Sequence, residues 1–420
     1  MSQSVLIVLA LLLMSATSSS QQSRQRISTL FSKGYFDQIA AIAPAEIRKL
    51  SAAGRIVEAS QAVALTCRAY IQLGRYDDAN KLVESFPESP KLRAQSPTSA
   101  ASLYLCKAAV SRAKRDSSKT FETLRLAFSI APNDPATLAG YYLEVGRTLY
   151  SSGHDFAAII WLEKAEKAAL SIGHTSIYYD ALRFLSLAWK AKFYYASALS
   201  YAEKLVEKVS SGEFEHRSRI AHLELADLLE VTGQQQRARD ISLKGLELST
   251  RAAVNYHSGQ FLSSLLLRSL YENDIESAEK YLLKLESIDK QKQFSFESLL
   301  GRALVENFKG NQVLSEEYFS KLANEKGTSD FIVPYWKSTI AEREQNWKEL
   351  VANADHLRKL TEQANFQEDL PGIYYKLALG SWRLGDERSA REHAAKSLSL
   401  FEPFRNTPTV DLSIAMMEVH

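Results

Sequence analysis

Only two cysteines, ten prolines and seventeen glycines occur in 420 residues, so the chain has little that staples or interrupts a fold. Two cysteines exclude a disulfide-stapled scaffold, and few prolines and glycines imply long unbroken helices. Charge of either sign is also missing in excess. Lys plus Arg number 51 against 49 for Asp plus Glu, a net charge of +2, which supplies no general field to gather polyanions and argues against a nucleic-acid partner. The sequence holds no GxSxG elbow, P-loop, HExxH or CxxC. The eight histidines are scattered: His216 and His222 fall on different faces of a helix, and His154 and His174 lie in turn-like segments, so no metal or cofactor site is expected. Acid pairs such as Glu213 with Glu215 and Glu316 with Glu317 read as solvated helix ends. An enzyme is not expected.

What is present is self-similarity. A Gly or small polar residue is followed by an aromatic or apolar residue two on, an Ala five on, and apolar residues four and seven beyond that. The phrase occurs as Gly74, Tyr76, Ala79, Val83, Phe86 and again as Gly153, Asp155, Ala158, Leu162, Ala165, with a late copy at Gly385, Glu387, Ala390, Ala394, Leu398. Aligning copies on the Ala position sets anchors at Ile39, Ala79, Thr120, Ala158, Ala198, Ala238, Ala278, Ser315, Leu350 and Ala390, a period of roughly 40 residues. A chain this long exceeds what one core can serve, and a fixed period means a stacked array whose units bury their apolar faces on one another.

Each unit reads as two helices. Tyr142, Val145, Gly146 and Leu149 share one helical face, Ser151-Ser152-Gly153-His154 turns the chain, and Ala158, Trp161, Leu162 and Ala165 restart the same spacing. Gly146 and Ala158 are small enough to let the two backbones approach. Cys67 and Cys106 fall on the first helices of successive units in different phases, which disfavours a bridge and suggests buried free thiols. The dense aromatics, Tyr178 to Tyr201 among them, fill gaps between long helices.

The pattern resembles the tetratricopeptide repeat (TPR), through Tyr142, Gly146, Ala158, Ala165, Ala127 and Pro132. The resemblance covers about Arg26 to Phe404 and implies an all-α fold, a right-handed α-solenoid of about ten TPR-like helical hairpins. The period is longer than the family's usual ~34 residues, as in repeats attached to CHAT-type peptidases and to signalling proteins such as histidine kinases. The family also implies a concave groove that binds a peptide or partner protein without catalysis. In matching phase the first helices would present Arg68, Arg112, Arg147, Arg183 and Lys190 there, with Tyr150 beside them, then Asp227 and Glu230, then Leu267, Leu270 and Tyr271. Several arginines along a groove suit an acidic segment held bidentately. The family's clamp for C-terminal carboxylates needs a Lys and Asn combination that these positions lack.

The ends differ in kind. Val5–Met14 is a ten-residue apolar run followed by small residues near Ala16 and Ser18, too short to span ~30 Å of hydrocarbon but fitting a secretory signal. Residues 1–23 are therefore expected to be a signal peptide that exports the chain to the periplasm, cell envelope or exterior; an uncleaved N-terminal membrane anchor is the alternative. No membrane span is expected in the mature chain. Residues 24–404 form the solenoid, and residues 405–420 a capping or unpaired helix with Leu412, Ala415, Met416 and Val419 on an apolar side. If that helix is the first half of a further unit, the chain is the regulatory or sensor arm of a larger enzyme or signalling protein. Pro87 to Ser99 reads as a surface loop, and Pro334 as the first residue of its helix.

Overall fold

The computed structural model describes residues 26–86, 89–209, 215–252, 255–289, 294–325, 330–364 and 369–401. The expected signal segment and the helix anticipated within residues 405–420 lie outside them. Among the described residues every regular element is a helix, and the helices pair into TPR-like hairpins, an all-α solenoid architecture. The chain divides into two compact units, Met1–Ala221 and His222–His420, with the division inside one helix.

In the first unit the helix over residues 26–33 (α1) pairs with α2 (Phe36–Ala52), and α3 (Ile56–Gln72) pairs with α4 (Tyr76–Ser85). A short α5 (Pro90–Gln95) precedes the hairpin of α6 (Pro97–Ala113) and α7 (Ser117–Ile130). Then follow α8 (Pro135–Ser151) with α9 (Asp155–Ser171), α10 (Thr175–Ala191) with α11 (Tyr195–Val209), and the first residues of α12 (Glu215–Val231). The second unit holds the rest of α12 with α13 (Gln235–Arg251), α14 (Asn255–Tyr271) with α15 (Ile275–Ile288), α16 (Ser295–Phe308) with α17 (Gln312–Ala323), α18 (Ile332–Arg343) with α19 (Trp347–Ala364), and α20 (Leu370–Arg383) with α21 (Glu387–Phe401).

All ten anchor positions are buried, each on the second helix of its hairpin. Where the anchor is Ala, Ser or Thr its small side chain lets the helices close to contact, and in several hairpins a buried residue one turn on, Val83, Leu124, Leu162, Leu282 or Phe319, fills the seam. Full burial of a leucine such as Leu162 stabilises by about 1.5–3 kcal/mol. The approach is tight enough that a Cβ added to Gly146 would stand 2.7 Å from Leu162 Cγ. In the second unit, aromatic rings occupy the same kind of gap: Phe261 lies across Gly245 and Phe294 across Gly259. Where the anchor is a serine its hydroxyl is satisfied internally, Ser315 Oγ donating to the Ala303 carbonyl at 2.8 Å.

The turn inside each hairpin passes through one left-handed residue. At Gly74 the N–H bonds back to the Ile71 carbonyl and the next N–H, of Arg75, reaches the Tyr70 carbonyl, the pair of bonds that closes a helix C-terminus. Arg115, Phe193, Asn273 and Gln345 hold the same conformation without being glycine.

Two sequence expectations change. The stretch Pro87–Ser99 is not simply a loop: α5 forms within it and buries Leu92, and α6 starts at Pro97. Its Ser-Pro pairs are helix starts, since Ser89 and Ser96 accept hydrogen bonds from the N–H groups of Leu92 and Ser99, and each proline takes the first helical position where no N–H is needed. Pro334 sits two residues inside α18 instead of opening it; a missing N–H is harmless there because the first four are unpaired anyway.

The first unit also departs from simple nearest-neighbour stacking. The Arg219 guanidinium on α12 donates to the Lys33 carbonyl of the first hairpin, and Phe36 meets His216 edge to face at 4.7 Å. The hairpins of this unit therefore come round until the first touches the start of α12, and their inner face encloses a cavity where an open trough was expected.

Candidate functional site

The cavity takes one arginine from each of five first helices: Arg68 on α3, Arg112 on α6, Arg147 on α8, Arg183 on α10 and Arg217 on α12. From Arg112 on they stand 35, 36 and 34 residues apart, less than the hairpin spacing, so each sits nearer the start of its helix than the one before and side chains far apart in sequence become neighbours. Glu144 and Asp180 join them, and apolar residues including Leu105, Leu143, Ile177 and Leu205 complete the lining. The volume is about 80 Å³.

The two acids are engaged. Glu144, whose side chain is 9% exposed, accepts from Arg112 Nε at 3.1 Å on one oxygen and from Arg147 Nη1 at 2.9 Å on the other. Asp180 accepts from Arg217 at 3.2 Å, and Arg217 also donates to the carbonyl and hydroxyl of Ser176, both at 2.8 Å. Burial alone would push both carboxyls up. The guanidiniums reverse this: Arg147, Arg112 and Arg68 hold Glu144 below its usual range, and Arg217, Arg147 and Arg68 do so for Asp180. Both acids are ionised at neutral pH. Burial pulls Arg147 and Arg217 down, the mark of cations held away from water near like charge.

Five guanidiniums against two carboxylates leave the cavity a net charge of +3. Arg147 Nε is buried without a hydrogen-bond partner among the described residues. Arg68 makes no ion pair among them; its neighbours are the Cys106 thiol and, at longer range, Asp180 and Glu144. Phe184 carries two cations, Arg147 with its guanidinium carbon 4.5 Å from the ring centre and Arg183 at 5.4 Å.

Of the residues the sequence singled out, Arg68, Arg112, Arg147 and Arg183 line the cavity. Tyr150 and Lys190 do not. Tyr150 stands one layer behind, packed edge-on against Phe184 at 5.9 Å, and Lys190 lies two turns beyond Arg183 along α10. Arg217, Glu144 and Asp180 were missed by sequence reasoning. A signal for the acids exists: Glu144-x-x-Arg147 recurs 36 residues later as Asp180-x-x-Arg183, which puts acid and arginine on one helical face in consecutive hairpins. Arg217 sits three turns before the residues compared with it, Asp227 and Glu230, so phase alone hid it. In the second unit Glu230 pairs with the buried Arg268 at 2.9 Å.

Cys67 and Cys106 are buried free thiols, as expected, but their phases do bring them together across α3 and α6. Cys67 Sγ donates to the Cys106 carbonyl at 3.9 Å and Cys106 Sγ to the Ala64 carbonyl at 3.6 Å, with Arg68 beside the Cys106 thiol. His174 caps α10 by accepting from the Ile177 N–H at 3.4 Å, and Glu316 and Glu317 face separate lysines, Lys337 and Lys321. Among the described residues no group of His, Cys, Asp and Glu could hold a metal, and no helix is long and apolar enough to cross a membrane.

No protein-family model matches the chain, and no curated protein does. Solved structures do. RapI in its apo form is similar at TM-score 0.64 and 12% identity, over 82% of this chain and 98% of that one. The apo quorum sensor NprR from B. thuringiensis reaches 0.59 at 15% identity, over 84% and 99%. A Rap protein complexed with Competence and Sporulation Factor reaches 0.55 at 14% identity, over 89% and 99%. The likeness is one of fold. At such identity it says that helical repeats of this kind build both molecules, and residue roles have to come from the cavity itself.

Proposed function

We propose that the chain is a non-catalytic interaction protein whose inner face, in the first unit, receives a peptide or a segment of a partner protein bearing acidic groups. The observation that carries this reading is the convergence of five arginines from five successive hairpins on one cavity of net charge +3. Isolated buried cations cost several kcal/mol each, so a wall of them that its own two acids do not neutralise suits an external anion. The complex of a similarly folded Rap protein with Competence and Sporulation Factor supports such a use of this architecture by analogy. A cavity of about 80 Å³ admits one group of a ligand, so the remainder of a peptide would lie outside it.

Selection of random dodecapeptides displayed on phage against the full chain tests the proposal. Enriched sequences are expected to be rich in Asp and Glu, to bind more weakly as salt is raised, and to lose affinity in Arg183→Ala while the melting temperature stays within a few degrees. Enrichment without acidic bias, or affinity indifferent to both salt and Arg183, would contradict it.

A further inference from the structure

Building on the partner-binding reading of this face, we infer that the cavity of the first unit is an oxyanion site for a doubly charged group of phosphate chemistry. Three observations lead there. The first is charge. Among the lining residues guanidiniums outnumber carboxylates five to two, and a phosphate monoester or free phosphate, carrying about −1.5 to −2 at pH 7, offsets more of that surplus than a single carboxylate does.

The second is the state of the donors. Glu144 already spends both oxygens on Arg112 and Arg147, and Asp180 is held by Arg217, so the resident acids are occupied. On the same wall Arg68 has no ion pair and Arg147 keeps an unpartnered buried Nε–H. A guanidinium offers five donors in a plane, and two such forks on one wall suit a tetrahedral oxyanion better than a water cluster, which would leave the charge unmatched.

The third is size. About 80 Å³ holds a handful of waters or one compact group, too little for a side chain with its backbone. The group can be a free ion or the phosphate of a phosphorylated partner; the chemistry that recognises it is the same.

The test uses the full chain and four probes at matched ionic strength: inorganic phosphate, sulfate, acetate, and a peptide of unrelated sequence with or without one phosphoserine. Calorimetric titration and thermal melting are read together. Phosphate and sulfate should bind and raise the melting temperature, acetate should bind at least about tenfold more weakly, and phosphate should weaken between pH 7.5 and pH 5.5 while sulfate does not, because over that range only phosphate gains a proton, inorganic phosphate at about pH 7 and the monoester at about pH 6. Arg68→Ala should lower phosphate affinity about tenfold or more, with Arg68→Lys intermediate because it keeps the charge and loses the fork. Stronger binding of the phosphoserine peptide than of free phosphate, with the same dependence on Arg68, names a phosphorylated partner as the source; binding of the free ions alone names a free ion. A response to phosphate no larger than to chloride, or one indifferent to Arg68, overturns the inference. If selected acidic peptides still bind in that case, the partner-binding reading survives without it. If phosphate binds and no peptide does, that reading fails and the oxyanion site stands.

Discussion

Arg219 reaches across 186 residues of chain to hydrogen-bond the Lys33 carbonyl at 2.9 Å, and this contact closes the first unit on itself. Gly34, the next residue, is left-handed, and a Cβ there would lie 2.8 Å from His216 Cβ. Glycine is what lets the first hairpin turn come against α12.

Gly34→Ala is therefore expected to destabilise by about 2 kcal/mol, from the left-handed backbone and the clash together. Native-state hydrogen exchange should speed up selectively in the second turn of α12, whose amides are the first to be paired within the helix. If exchange there is unchanged while the variant is destabilised, the closure is not held by this contact.

Glu144→Gln should cost about 3 kcal/mol, since it leaves Arg112 and Arg147 buried without their counter-charge. The same ionisation sets an acid limb. Glu144 and Asp180 are depressed in the folded state, so their contribution is complete above the unfolded values, 4.5 and 3.8, and is lost as pH falls through the lower folded ones. Wild type should lose stability below about pH 4.5, and the variant should show a shallower decline. Parallel limbs in urea titrations at stepped pH would contradict this assignment.

Gly146→Ala places a methyl 2.7 Å from Leu162 Cγ and 3.2 Å from the Leu162 backbone nitrogen, at the tightest seam of the fourth hairpin. Overpacking of this kind costs about 1–3 kcal/mol. A melting temperature equal to wild type would show that the hairpin opens without penalty.

Arg115→Gly works in the other direction. Arg115 is exposed and held at φ +62° in the turn of the third hairpin, where the other turns mostly use glycine. Relief of that backbone strain, less the entropy glycine adds to the unfolded chain, should stabilise by about 0.5–1 kcal/mol. Chemical denaturation gives the sign directly.

The hairpins were legible because their determinants are local and periodic. Ala79, Ala158 and Ala238 recur at one spacing, and the structure buries all of them in the expected helix. The Ser-Pro pairs at 89–90 and 96–97 misled because serine and proline serve loops and helix starts alike; only the following backbone N–H groups decide. The arginine wall was half legible. Phase places Arg68, Arg112, Arg147 and Arg183 on the inner face, but Arg217 enters by the path of the superhelix, which no single period encodes. The closure of Lys33 on Arg219 is a sum of small rotations over five hairpins, so nothing near either residue announces it.

The central claim is that the ligand engages the cavity of the first unit, and photo-crosslinking tests it most directly. A selected acidic peptide carrying a photoreactive group next to its acidic residue, irradiated on the full chain and mapped by mass spectrometry, should label cavity residues such as Phe31, Leu105, Leu143 and Ile177. Excess phosphate should suppress the label. Adducts confined to the outward second helices, or to α20 and α21, would place binding elsewhere and contradict the account.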